Sequence, residues 1–128
     1  MAKLRLDRLS ATSSKEPYCP KQYDVIHIQF NPQAGREMAD KHYAFVLTGE
    51  KYNKITRLCV LCPITSKAKG YPFEVAIPAG GKMAGVVLSD HVKSLDWSAR
   101  QAEFVENRPD LEPEVMGKLR ALLSMTIS

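Results

Sequence analysis

Three histidines, three cysteines and a dense run of lysine and arginine are the side chains of this sequence best suited to chemistry. Cys59 and Cys62 have the C-x-x-C spacing used for metals and dithiol redox work. They lie inside Arg57-Leu-Cys-Val-Leu-Cys62, an apolar run that reads as a strand. Successive strand side chains point to opposite faces, so positions i and i+3 diverge and the two thiols cannot share one metal. No second Cys or His pair completes a zinc set. The cations form a clearer pattern. Arg36, Lys41, Lys51, Lys54, Arg57, Lys67 and Lys69 face only Glu37, Asp40 and Glu50. A polyanion such as nucleic acid suits that segment, and so does an ordinary solvated surface. His42 and Thr65 stand near the ends of strand-like runs within it.

Several chemistries are excluded. There is no G-x-x-x-x-G-K-[ST], no G-x-G-x-x-G after a strand, no H-E-x-x-H and no G-x-S-x-G. The 128 residues, 45% apolar and 25% charged with a formal charge of +4, suit one globular domain. No apolar run approaches the roughly 18 residues needed to cross a bilayer. The first residues lack the apolar segment of an export signal, and with an odd cysteine count this points to a reducing cytoplasm.

The elements that must position these side chains are mostly strands. Residues 1–20, charged and closed by Pro17 and Pro20, read as a flexible N-terminal tail ahead of one domain at 21–128. Asp24 to Phe30 alternates, with Ile26, Ile28 and Phe30 on one face and His27 and Gln29 on the other, as in a half-buried strand stopped by Asn31-Pro32. A polar loop, Gln33 to His42, leads into the doubly buried strand Tyr43 to Thr48. A second polar loop is expected over Gly49 to Thr56, then the strand Arg57 to Cys62, ended by Pro63, and a basic loop from Ile64 to Tyr71. Strands are also expected at Phe73 to Ile77, at Gly85 to Leu88 and, as an edge, at Arg100 to Val105, while His91 to Trp97 is ambiguous. A helix starts at Glu112-Pro113, with Val115, Met116, Leu119, Leu122 and Leu123 as its apolar stripe. Short strands with one terminal helix predict a mainly β fold, a small SH3-like barrel with a C-terminal α-helix.

Asn31-Pro-Gln-Ala-Gly-Arg-Glu37, Tyr52-Asn53, Pro63-Ile-Thr-Ser66, Lys69-Gly-Tyr-Pro-Phe-Glu-Val75 and the block from Gly85 to Arg100 follow in a telling order and spacing. In both, the chain resembles the MazF/PemK/Kid-type toxins of type II toxin–antitoxin systems, from about Gln22 to the C-terminal helix. The resemblance implies a PemK/CcdB-type barrel, a homodimer, and a metal-independent, sequence-specific endoribonuclease acting on single-stranded RNA. The ribose 2′-OH would attack the adjacent phosphorus and leave a 2′,3′-cyclic phosphate. That reaction needs a base, an acid and donors around the phosphate charge, and no cofactor, because the nucleophile belongs to the substrate. DNA lacks the hydroxyl and should not be cut.

By the same resemblance, the family threonine falls on Thr65, a donor to a phosphate oxygen, and the family glutamate on Glu37, a base or the orienter of one. The family arginine is absent: its column holds His42, preceded by Lys41. An imidazole can take and give a proton near neutral pH but cannot copy a bidentate arginine clamp. His42 is therefore either an acid–base group or the mark of a weakened catalyst, with Lys41 a possible source of the missing charge. Tyr23 replaces the family glycine before the first strand's aspartate, which would alter how the chain enters that strand. Asn31, Gln33, Arg36, Lys41, Asn53, Lys54, Lys67 and Lys69 are the candidate RNA contacts, the lysines for phosphate and the amides for base edges. The implied partners are single-stranded RNA or mRNA and a cognate antitoxin whose acidic, apolar segment folds onto the basic groove. Two other readings stand beside this one: a member that binds RNA or antitoxin without cutting, and a CcdB-like gyrase poison. The second would need a Trp-Gly-Ile ending, whereas this chain ends Ser-Met-Thr-Ile-Ser128.

Overall fold

A computed structural model describes residues 18–31 and 41–125. The alternating segment forms β1 (Asp24–Gln29), and β2 (Lys41–Val46) begins two residues before its apolar run, so it includes His42. α1 (Glu50–Thr56) leads to β3 (Leu58–Thr65), β4 (Glu74–Ala76) and β5 (Val86–Leu88). The ambiguous segment forms β6 (Lys93–Asp96), followed by β7 (Glu103–Asn107), a 3-10 turn at Pro109–Leu111 and α2 (Glu112–Ser124). All pairings are antiparallel, in the order β4-β5-β3-β2-β1-β7, with β6 also paired to β3. The mainly β architecture with a C-terminal helix follows the expectation, but the sheet stays open, because β4 and β7 are its two ends and do not pair.

Two expectations are corrected. The second polar loop is the helix α1, whose seven residues bury only Asn53. One buried position makes no apolar stripe, so periodicity has nothing to register. β3 does not stop at Pro63 but runs through it to Thr65. Pro63 pairs with Ala44 on the β2 side. On the outer side, β6 covers Leu58 to Leu61 and β5 covers Ile64 and Thr65, which leaves Pro63 in the gap between two neighbours. A proline, lacking its N–H, is tolerated where a ladder is interrupted.

Each face of the sheet carries its own core layer. On one, Val25, Phe45, Cys62, Ile64, Val75 and Val87 pack beneath Val115 and Leu119 of α2. On the other, Ile26, Ile28, Ala44, Val46, Cys59 and Leu61 pack around Trp97. Cys59 and Cys62 therefore sit in different layers, as strand geometry requires, and burial pushes both thiols up to about 12. The stripe of α2 is covered only at its start, since Leu123 is 81% exposed.

The N-terminal side of the domain is tied in early. Residues 1–17 of the expected tail lie outside the described residues, while Pro20 is buried and the Tyr18 hydroxyl donates to the Asp24 carboxylate. Tyr23 adopts a left-handed backbone (φ 70°), the conformation glycine suits, so the chain enters β1 in spite of the substitution. Its N–H donates to Val46, its carbonyl accepts from Arg108, and its ring stacks on Phe45 with centroids 5.8 Å apart.

Candidate functional site

The ends of β1, β2 and β3 bring His42 and Thr65 together. β2 and β3 pair Ala44 with Pro63 and Tyr43 with Ile64, where their register ends, and His42 and Thr65 are the next residue of each strand. On the other side His42 pairs with Ile28, and its exposed ring stacks on Phe30 at 4.7 Å and 22°. The Lys93 ammonium lies 5.8 Å from the centre of the same Phe30 ring. Arg100 fixes this end of β1: its guanidinium donates to the Phe30 carbonyl, and its own carbonyl accepts from the Gln29 N–H at 3.1 Å.

Thr65 closes β3 half-buried, and its Oγ1 accepts the Lys67 N–H at 3.1 Å. This capping bond uses a lone pair and leaves the hydroxyl proton free to be donated outward. Thr65, Lys67 and Lys69 line a cavity of about 240 Å³ with Tyr71, Glu74, Asp90 and His91. Glu74 holds the basic loop in shape by accepting from the backbone N–H groups of Lys69 and Gly70. Asp90 and His91, 3.7 Å apart, are the groups that sequence reasoning missed here. Their adjacency in sequence said nothing of a shared cavity with Thr65, because β5 alone carries them there through the Thr65–Val86 pair.

The remaining candidates scatter. Asn31 is exposed just beyond β1, next to the stacked rings. Gln33, Arg36 and Glu37 lie outside the described residues, and Lys41 is described only through its backbone pairing with Gln29. Asn53 is fully buried. Its amide donates to the carbonyls of Pro20 (2.8 Å) and Thr48 (3.0 Å), and its oxygen accepts from the Thr48 hydroxyl (2.7 Å). With every side-chain polar atom engaged, it has nothing to offer a base and instead holds α1 to the sheet. Lys54, on α1, lines a different cavity at the other end of β3, away from Thr65. Among the described residues, no group of three His, Cys, Asp or Glu could hold a metal ion, and no helix is long and apolar enough to cross a membrane.

Comparison with known proteins identifies the family. Residues 21–126 match the family described as PemK-like, MazF-like toxin of type II toxin-antitoxin system. The chain is 37% identical over 110 residues to the endoribonuclease toxin MazF of Escherichia coli, which covers 86% of this chain and 96% of that protein. It is 30% identical over 106 residues to the Escherichia coli endoribonuclease PemK, covering 79% and 80%. Crystal structures from Deinococcus radiodurans superpose closely. MazF shares 48% identity with a TM-score of 0.75, over 84% of this chain and 99% of that one. MazF in its complex with MazE shares 43% with a TM-score of 0.74, over 85% and 99%. The chain belongs to the PemK-like, MazF-like toxin family of type II toxin–antitoxin systems.

Proposed function

We propose that this protein is a toxin endoribonuclease that cuts single-stranded RNA at the strand ends that carry His42 and Thr65, and that a cognate antitoxin restrains it. The placing of these two residues one step beyond the last β2–β3 pair, with Thr65 in one cavity with Lys67 and Lys69, carries the reading. The relatives named as MazF and PemK endoribonucleases support the activity, and the MazE–MazF complex supports the antitoxin.

In this reading His42 takes the proton of the ribose 2′-OH, whose oxygen bonds to the neighbouring phosphorus. The bond from phosphorus to the 5′-oxygen breaks and that oxygen takes a proton from solvent water, giving a 2′,3′-cyclic phosphate and a 5′-hydroxyl, while His42 returns its proton to solvent. The free hydroxyl proton of Thr65 donates to a phosphate oxygen as charge builds there, and Lys67 and Lys69 hold neighbouring phosphates. The substrate supplies the nucleophile, so the step needs no metal-bound hydroxide. The reaction belongs in the cytoplasm, where mRNA is found, and in a homodimer.

One observation favours a second assignment of the proton transfers: Asp90 and His91 line the Thr65 cavity, and His42 is not among its lining residues. Incubating the protein with a long single-stranded RNA in EDTA tests the function. Discrete fragments ending in 2′,3′-cyclic phosphate support it, and intact RNA refutes it. His42→Ala and His91→Ala, compared on the same RNA, tell the two assignments apart.

A further inference from the structure

A cavity of about 710 Å³ lies away from the cleavage site. Arg57 stands just before β3 and Thr65 ends it, so an eight-residue strand, about 23 Å at its usual rise, separates them. Lys21, Lys54 and Arg57 line this cavity with Tyr18, Trp97 and Phe104, and the carboxylates of Asp24 and Glu50 also stand on its wall, so the net charge there is about +1.

Three features mark it as a place for a nucleotide. The first is uncommitted positive charge. Among the described residues, none of the three cations has a carboxylate within 4.0 Å. Asp24, at the cavity wall, is already engaged, accepting from the Tyr18 hydroxyl, the Lys21 N–H and the Asn107 amide. The second is the backbone of Arg57. It caps α1 in the left-handed conformation (φ 64°), where glycine is the easy choice and another residue is held at a cost of about 1 kcal/mol. Its guanidinium lies 5.5 Å above the Trp97 ring, which keeps it at the cavity. The third is Phe104, 54% exposed, with Tyr18 braced against it edge-on at 5.9 Å. An exposed, braced ring beside unpaired cations is what single-stranded nucleic acid binds: bases stack and phosphates pair.

We infer that this cavity is a remote subsite for the same RNA, with Lys54 and Arg57 on a phosphate and Phe104 under an unpaired base, several nucleotides from the bond that is cut. The inference rests on the RNA-cleaving reading, and its consequence is specific. The subsite adds affinity to long substrates and leaves the chemical step alone.

The test uses RNA fragments of increasing length around a mapped cleavage site, with Lys54→Gln/Arg57→Gly and Phe104→Ala as variants. Arg57→Gly removes the cation while suiting the left-handed backbone, so lost binding is not lost folding. In the wild type, KM should fall as the RNA lengthens, and Trp97, the sole tryptophan, should change its emission only with the longer fragments. In the double variant the length advantage should disappear with kcat on the shortest fragment unchanged. The slope of log affinity against log salt should become shallower by about 0.7, for one lost single-strand phosphate contact. Wild-type length dependence and salt slope in the double variant would overturn the inference. So would Trp97 emission that answers an acidic antitoxin segment but no RNA. If no RNA is cut at all, the cleavage reading fails, and the salt slope on intact long RNA still decides the subsite.

Discussion

Gly85 lies directly against the backbone of Thr65. A Cβ built on Gly85 would run into the Thr65 carbonyl oxygen and stand 3.0 Å from its carbonyl carbon. Gly85 also has φ 119°, which L side chains rarely adopt. The glycine that opens β5 is therefore what lets β5 draw alongside the end of β3 and fix Thr65.

Gly85→Ala should consequently act on Thr65 as well as on the fold. The backbone must give on both counts, at a cost of about 2 kcal/mol in stability. RNA cleavage, followed under conditions where the variant is still folded by circular dichroism, should drop by more than the unfolded fraction explains. An alanine variant that loses only stability would show that Thr65 does not depend on this close approach.

His42→Ala and Thr65→Ala should each lower kcat by at least about tenfold with the fold intact. Because Thr65 both caps the loop through Lys67 and offers its proton, Thr65→Ser should keep most of the activity that alanine loses. Phe30 holds the imidazole in a stack, so Phe30→Leu should slow cleavage less than His42→Ala does. His42→Arg is the informative substitution. If it raises the rate strongly, the histidine is a damaged form of the family arginine; if it lowers it, the imidazole has its own role in proton transfer.

The strands were legible because a two-faced sheet imposes apolar patterning: β1 and β4 carried the alternation, and β2 and β3 read as continuous apolar runs. α1 was not legible. A seven-residue helix fixed by one buried asparagine has no stripe, and Tyr52-Asn53 reads as loop polarity. The placing of His42 and Thr65 was legible only as two positions near strand ends. It follows from the continuation of β3 through Pro63, which local sequence marks as a stop. Lys54 stands among the candidate RNA contacts because it belongs to the basic segment of the sequence, and Asn53 because an amide can read a base edge. The fold then carries that segment to both ends of β3.

Asn53→Ala should therefore be a stability variant. It would leave the buried carbonyls of Pro20 and Thr48 without their donors, at a cost of about 2 kcal/mol. Thermal unfolding should show this loss, and the pattern of RNA fragments cut should stay that of the wild type. A changed cleavage pattern at unchanged melting temperature would put Asn53 in contact with a base after all.

Acid should find the fold through Glu106 and Asp110. Burial by itself would raise Glu106. The N–H groups of Lys82 and Met83, with Arg108, outweigh that and hold its carboxyl below the usual range. The hydrogen-bonded Arg108 guanidinium lowers Asp110 as well. Carboxyls whose folded pKa is depressed add stability that is fully present above their ordinary value, near about 4, and is lost as pH falls through the folded one. Melting temperature should thus stay level from neutral pH down to about 5 and then fall. Arg108→Gln removes the cation from between the two carboxylates. It should lower neutral-pH stability by about 2 kcal/mol and flatten the acid decline, because the carboxyls then titrate nearer their unfolded values. An acid decline as steep in the variant as in the wild type would move the pH sensitivity to other groups, Asp96 first, whose carboxylate accepts from Ser98 and Ala99 and is lowered by them.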